Sequence, residues 1–244
     1  MDPKTFPCKY DHDRMSITVS MQLPVLFAAD QRDTCHMSRA SKPKRNSRLR
    51  TPSLSKRASI LQAARELVRD LGFRETQMNA VAETAGVALG TLYRNFPSKA
   101  ELMVEVVAEV AQREVDVAAK SAMEHGTAAE RLSASAGIFA SRALLGRKLA
   151  HALVAEAVEP EIESARLKYR RKLARVFEGI IEQGIRDQEF PAQDVQASAA
   201  CIVGSLFEGL VGPLALDSLS PAERQRQAKA TVAFCVRGTS GKMD

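Results

Sequence analysis

Residues 57–102 read RASILQAARELVRDLGFRETQMNAVAETAGVALGTLYRNFPSKAEL, and this stretch decides the fold. Ile60, Leu61, Ala64, Leu67, Val68 and Leu71 recur on one face at helical spacing, and Gly72 follows as a stop. Thr76 is placed to cap a short helix running to about Ala85, with Met78, Val81 and Ala82 inward. Gly86 fits a turn whose backbone needs positive φ. A second short helix then runs through Phe96 and stops at Pro97. Ala82 and Ala85 are small enough for the two helices to cross closely. A short helix, a glycine turn and a short helix make a helix-turn-helix, although any αα-hairpin shares that pattern.

Downstream the chain stays helical. Ser98-Lys-Ala-Glu101, Thr127-Ala-Ala-Glu130 and Ser220-Pro-Ala-Glu223 have the form of capping boxes, in which hydroxyl and carboxylate satisfy amides of the first turn. Pro221 sits where a missing N–H costs nothing. Glu161 to Gln183 carries Ile162, Tyr169, Leu173, Val176, Phe177, Ile180 and Ile181 on one side, with Gly184 as the expected stop. A further helix spans about Val195 to Val211 and ends at Gly212-Pro213. No segment reads as a strand. The expected fold is all-α, with eight to ten helices.

Upstream, residues 1–50 lack sustained helical periodicity and read as a disordered arm. Met15–Ala29 alternates and then turns apolar, but its Ser, Thr and Gln interruptions and Pro24 argue against a signal peptide. Met37 is a plausible alternative start. Between Thr34 and Arg65 there is no acid, while Arg39, Lys42, Lys44, Arg45, Arg48, Arg50, Lys56, Arg57 and Arg65 carry positive charge. The whole chain is only +6, so positive charge is concentrated here, as suits a polyanion or a solubilising tail. Removing residues 1–36 is expected to leave the melting temperature unchanged, because the arm has too few apolar residues to build core; a drop of several degrees in calorimetry would show that Met15–Ala29 packs on the body.

The composition is that of an ordinary globular protein, 45% hydrophobic and 26% charged over 244 residues. No apolar run approaches the ~18–20 residues that cross a bilayer. Cys8, Cys35, Cys201 and Cys235 form no metal-ligand spacing and are too sparse for a disulfide scaffold. His12, His36, His125 and His151 are scattered, so no metal or cofactor is expected. Neither a nucleophile triad, a paired-carboxylate site nor a phosphate-cradling glycine loop is present, which argues against an enzyme.

The order and spacing of Ile60-Leu-x-Ala-Ala64, Gly72-Phe73, Thr76, Val81-Ala82, Ala85-Gly86-Val87, Gly90-Thr91-Leu92-Tyr93, Phe96, Ser98-Lys99 and Glu101-Leu102 resemble, without a gap, the DNA-binding domain of the tetracycline-repressor (TetR/AcrR) family of transcriptional regulators. Beyond the arm (1–50), the resemblance implies an N-terminal three-helix DNA-binding domain with a helix-turn-helix (51–97) and a C-terminal helical ligand-binding and dimerisation domain (98–244). It implies a recognition helix from about Leu89 to Asn95. Leu89, Gly90 and Thr91 would meet base edges in the major groove, and Tyr93, Arg94 and Asn95 the sugar-phosphate backbone. Lys99 would bind a phosphate, and Thr76 and Gln77 another. Leu92 and Phe96 would pin the helix to its core, and packing is an alternative role for Tyr93. Ala88 stands where family members often have a capping Ser, and Leu89 replaces a frequently polar reader. Leu can touch a thymine methyl but cannot hydrogen-bond guanine. The basic segment Lys44–Arg57 is available for phosphate or minor-groove contacts.

In the later part, Val195, Ala199, Ile202, Leu206 and Leu210 share one helical face, and Ala200, Gly204, Phe207 and Val211 a second. One face for the core and one for a partner is the simpler account; a fully buried central helix is the other. The last helix adds Ala228, Val232, Cys235 and Val236. The resemblance implies that these two helices pair with their copies in a four-helix bundle, with Ala200, Gly204, Phe207, Val211 and Val232 at the interface. Cys201 and Cys235 read as small buried hydrophobes, with redox sensing the other reading. Phe139, Leu144, Leu149, Leu153, Tyr169, Leu173, Phe177 and Ile180 are candidates to line a ligand pocket, with Arg142 or His151 as polar anchors; the alternative for each is plain core. The expected function is a cytoplasmic, nucleoid-associated, homodimeric repressor, released from a palindromic double-stranded DNA operator by a small apolar effector and without a membrane partner. Its rival is a ligand-binding scaffold whose helix-turn-helix is vestigial, and a mobility-shift assay separates the two.

Overall fold

The helix starts show why the chain folds where it does. In the computed structural model, which describes residues 55–215 and 219–241, Ser55 Oγ accepts from Ala58 N at 3.2 Å and opens α1 (Lys56–Glu75). Asp194 accepts from Ala197 N at 2.9 Å and opens α8 (Val195–Leu210). Reciprocal capping boxes open α5 (Ala128–Leu145), from Thr127 and Glu130, and α9 (Pro221–Ser240), from Ser220 and Glu223. At Ser98, which opens α4 (Lys99–Ala122), only half of the expected box forms: Oγ accepts from Glu101 N at 3.1 Å. The others are α2 (Met78–Thr84), α3 (Leu89–Asn95), α6 (Arg147–Val154) and α7 (Pro160–Arg186). The described residues thus form nine helices and no strand. The expected arm, 1–50, lies outside them, as do Cys8 and Cys35.

Gly72 interrupts α1 as the sequence suggests, with φ +87. Gly184 does not end α7. The helix runs on to Arg186 and closes in a Schellman arrangement, with Gln188 at φ 60, Gln188 N donating to Ile185 O at 3.1 Å and Glu189 N to Gly184 O at 2.8 Å. Gly184 is a contact residue: a Cβ there would stand 2.4 Å from the Phe190 ring and 2.8 Å from Ala128 Cβ.

Two apolar clusters result. The first joins Ile60, Val68, Phe73, Val81, Leu92 and Phe96 of the N-terminal helices to Leu102, Met103, Val106, Val107 and Val110 of α4, Ala152 of α6 and Ile162 of α7. The second joins Val115 and Ala118 of α4 to the inner faces of α5, α7, α8 and α9. Both α4 and α7 therefore contribute to both clusters, and Tyr169 packs against each. Burial of each large side chain here contributes roughly 1.5–3 kcal/mol.

Candidate nucleic-acid interface and cavity

The turn between α2 and α3 is built by backbone hydrogen bonds. Gly86 (φ +64) donates to Glu83 O at 3.0 Å and Val87 to Ala82 O at 3.0 Å, a Schellman closure that needs the left-handed residue at 86. Leu92 and Phe96 are fully buried and anchor α3 on the first cluster. The opposite face of α3 is open: Leu89 and Tyr93 are 43% and 45% exposed, and Gly90 and Arg94 are exposed too. Thr91 and Asn95 are half-buried, and the Asn95 amide donates to Thr91 O at 2.8 Å. Ala88 offers α3 no side-chain cap.

The flanking residues divide. Gln77 is exposed and is the N-cap of α2, without a side-chain capping bond. Thr76 does not cap that helix. It is fully buried, and its hydroxyl donates to Gly72 O at 2.6 Å because the left-handed kink at Gly72 brings that carbonyl within reach. Its side chain is thus withdrawn from any phosphate. Lys99 is half-buried and its Nζ donates to Arg74 O at 3.0 Å. Two cations counted with the basic stretch are held internally. Arg57 stacks over Phe96 at 4.1 Å, donates to Asn95 O at 2.7 Å and pairs with Glu105, and Arg65 pairs with Glu109. The part of the Lys44–Arg57 segment before Ser55 lies outside the described residues.

Between the clusters lies a cavity of about 520 Å³. Its walls include Val107, Val110, Phe139, Leu149, Leu153 and Leu173, and Phe139 stacks on Phe207 with centroids 5.5 Å apart. Arg142 and Tyr169 line it as well. Arg142 forms a two-point ion pair with Glu114, Nε to Oε2 at 2.6 Å and Nη2 to Oε1 at 2.7 Å, and this bond raises the guanidinium pKa. Half-buried Arg65, paired with Glu109, and exposed Arg69 and Arg113 stand at its rim. Phe177 and Ile180 are not part of the wall; both are buried in the second cluster. Leu144 packs against that cluster outside the cavity. His151 is exposed and its Nδ1 lies 3.1 Å from Val211 O, so it ties α6 to the end of α8 instead of anchoring a ligand.

Family models match two stretches of the chain: "Bacterial regulatory proteins, tetR family" over residues 60–106 and "Tetracyclin repressor-like, C-terminal domain" over residues 140–232. The chain belongs to the TetR family. It is similar to the HTH-type transcriptional repressor KstR of Mycolicibacterium smegmatis, 39% identical over 82 residues, a match that spans 34% of this chain and only 40% of that protein. It is similar over a longer stretch to the fatty acid metabolism regulator protein of Bacillus subtilis, 26% identical over 157 residues, covering 61% of this chain and 78% of that one. Among solved structures, FadR from Bacillus subtilis in complex with stearoyl-CoA shares the fold with a TM-score of 0.63 at 21% identity, over 74% of this chain and 97% of that one.

In this TetR-family chain the expected second face of α8 is only partly open. Ala200 and Gly204 are exposed, with Ala197 and Cys201 beside them. Phe207 and Val211 turn into the cavity wall, Phe207 because its ring leans onto Phe139. Val232 packs inward against the second cluster. On α9 the outward residue is Phe234, 60% exposed, which apolar periodicity alone passes over. Cys235 is buried as expected, and burial pushes its thiol pKa up; Cys201 is exposed.

Proposed function

We propose that the protein is a homodimeric transcriptional repressor that leaves its operator when a small molecule enters the cavity. The observation that carries this reading is the placement of α4. Its first turns pack on α1 and share the first apolar cluster with Leu92 and Phe96 through Leu102, Met103 and Val106, and its middle, through Val107, Val110 and Glu114, forms cavity wall. A movement of α4 therefore reaches both reading heads. Two heads must fit half-sites about one turn of DNA apart, roughly 34–36 Å. On this reading the head comprises residues 51–97 and the regulatory body 98–244. The exposed residues of α3, with Gln77 and Lys99 at its flanks, meet DNA. Leu89, with no polar atom to offer, reads a thymine methyl.

Apolar walls beside rim arginines favour an effector with an apolar body and an anionic end. The class we propose is a fatty acyl thioester of coenzyme A, the kind of ligand held by FadR from Bacillus subtilis. Anisotropy with duplexes selected by the protein from a random pool tests both halves. Tight, salt-sensitive binding and its loss on adding stearoyl-CoA are expected; retained binding with stearoyl-CoA present overturns the effector class. Lys99→Ala is expected to weaken all selected sites about equally and to flatten the salt slope by about one unit, since a phosphate contact carries no sequence information. An unchanged slope removes Lys99 from the phosphate contacts.

A further inference from the structure

The bend that follows α6 holds the turn that precedes the helix-turn-helix. Glu156, two residues past the last residue of α6, accepts from two consecutive backbone amides across the molecule: Phe73 N at 2.9 Å to Oε2 and Arg74 N at 2.7 Å to Oε1. These amides follow Gly72, where α1 breaks with φ +87. A Cβ at 72 would meet Glu156 Oε2 at 2.7 Å, so glycine is needed both for the backbone and for the carboxylate to come close. The same turn is fastened from α4, because Lys99 Nζ donates to Arg74 O, and from within, because Thr76 donates to Gly72 O.

The Glu156 bend is itself held by α7. Arg166 is 4% exposed and lines the cavity. Its Nη1 donates to Glu156 O at 2.7 Å and pairs with Glu163 at 3.2 Å, and its Nη2 donates to Ala152 O in α6. Its guanidinium also lies over the Phe73 ring at 5.3 Å. One turn on, Arg170 also lines the cavity and donates to Val154 O, the last residue of α6, at 2.9 Å. The Nε of each has no hydrogen-bond partner among the described residues. Arg170 also pairs with Glu163 at 3.8 Å and lies over the Phe207 ring at 5.3 Å, so both residues border the cavity while their Nη groups hold the end of α6.

We propose that Glu156 is the positioning residue that couples the cavity to the reading head, through its clasp on the Phe73 and Arg74 amides, and that Arg166 and Arg170 set the clasp by holding the end of α6. An anionic group that draws those guanidiniums toward the cavity loosens the α6 carbonyls, lets the Glu156 bend move and frees the turn before α2. This route runs through α6 and the α1–α2 turn, separately from the start of α4. It rests on the reading of α2 and α3 as a DNA-binding head.

The test uses the full chain and two readouts. The first is hydrogen exchange at the Phe73 and Arg74 amides. Glu156→Gln keeps one accepting oxygen but turns an NH2 toward the other amide, so exchange at one or both is expected to rise at least tenfold. Arg166→Met touches neither amide, yet is expected to speed their exchange comparably, and the double variant to be no faster than the faster single one. Should Arg166→Met not fold, Arg170→Met is read in the same way. The second readout is affinity for the selected duplexes, expected to fall about tenfold in each single variant and no further in the double. Exchange at the two amides that stays at the wild-type rate in the folded arginine variant, or arginine and Glu156 effects on affinity that simply add, overturns the clasp. If the unaltered protein selects no DNA, the DNA-binding reading falls, while the exchange rates still decide whether the cavity arginines govern the turn.

Discussion

Gly204→Leu is expected to yield a folded protein that sediments as a monomer at micromolar concentration and binds operator DNA at least about 10²-fold more weakly, because a single head loses the gain from linking two. Gly204 is exposed on α8, and a Cβ built there meets nothing within 4 Å, so the added side chain does not disturb the monomer's own core. Ala197, Ala200 and Cys201 share its open side, which lets a second α8 approach closely. In a two-fold interface the residue meets its own copy's surroundings twice. Overpacking at about 1–3 kcal/mol per site is then enough to dissolve the pair. Sedimentation velocity decides the matter. A dimer that survives moves the interface elsewhere, and a chain that unfolds contradicts the open position of Gly204.

Gly184→Ala acts in the opposite sense, inside the monomer. The new methyl would lie 2.4 Å from the Phe190 ring and 2.8 Å from Ala128 Cβ. Phe190 is 5% exposed and Ala128 fully buried, so neither can swing away into solvent. Overpacking of this type costs about 1–3 kcal/mol, which for a chain of this size lowers the melting temperature by roughly 2–4 °C per kcal/mol. Gly179, exposed on the same helix with nothing within 4 Å of its Cβ position, is the control. There alanine is expected to stabilise by about 0.5–1 kcal/mol, since it relieves the entropic cost of a mid-helix glycine. Calorimetry of the two variants should give opposite signs; equal signs would mean that α7 ends before Gly184 after all.

Local chemistry was legible in the sequence where local chemistry decides the outcome. Thr127 and Ser220 open their helices through bonds to residues three positions on, and the Gly86 turn closes through bonds within five. Leu92 and Phe96 could be placed because α3 has only one buried side. The failures are non-local. Gly184 looks like a stop until Phe190 and Ala128, brought in from elsewhere, explain it. Thr76 reads as a cap until the kink at Gly72 turns its hydroxyl inward. Phe207 shares an ideal helical face with Gly204, but a side chain as long as phenylalanine can lean a further distance round the helix, and it leans onto Phe139. Arg166 was passed over because arginines on a helix usually face water. Its signal was position: it lies four residues after Ile162 and seven before Leu173, on the apolar stripe itself.

The first apolar cluster has a bearing on how such regulators change over time. It does not end at Pro97, since Val106, Val107 and Val110, Ala152 and Ile162 complete it from α4, α6 and α7. A chimaera that joined α1–α3 to a foreign body at Pro97 would set one half of a close-packed surface against a stranger's other half, with mismatched volumes along the seam. It would also separate Phe73 and Arg74 from Glu156. Recombination has no clean cut here. On the proposed reading of α3 as the recognition helix, new operator preferences are therefore more accessible by point substitution on its open side, at Leu89 and Gly90, than by borrowing a head from another lineage.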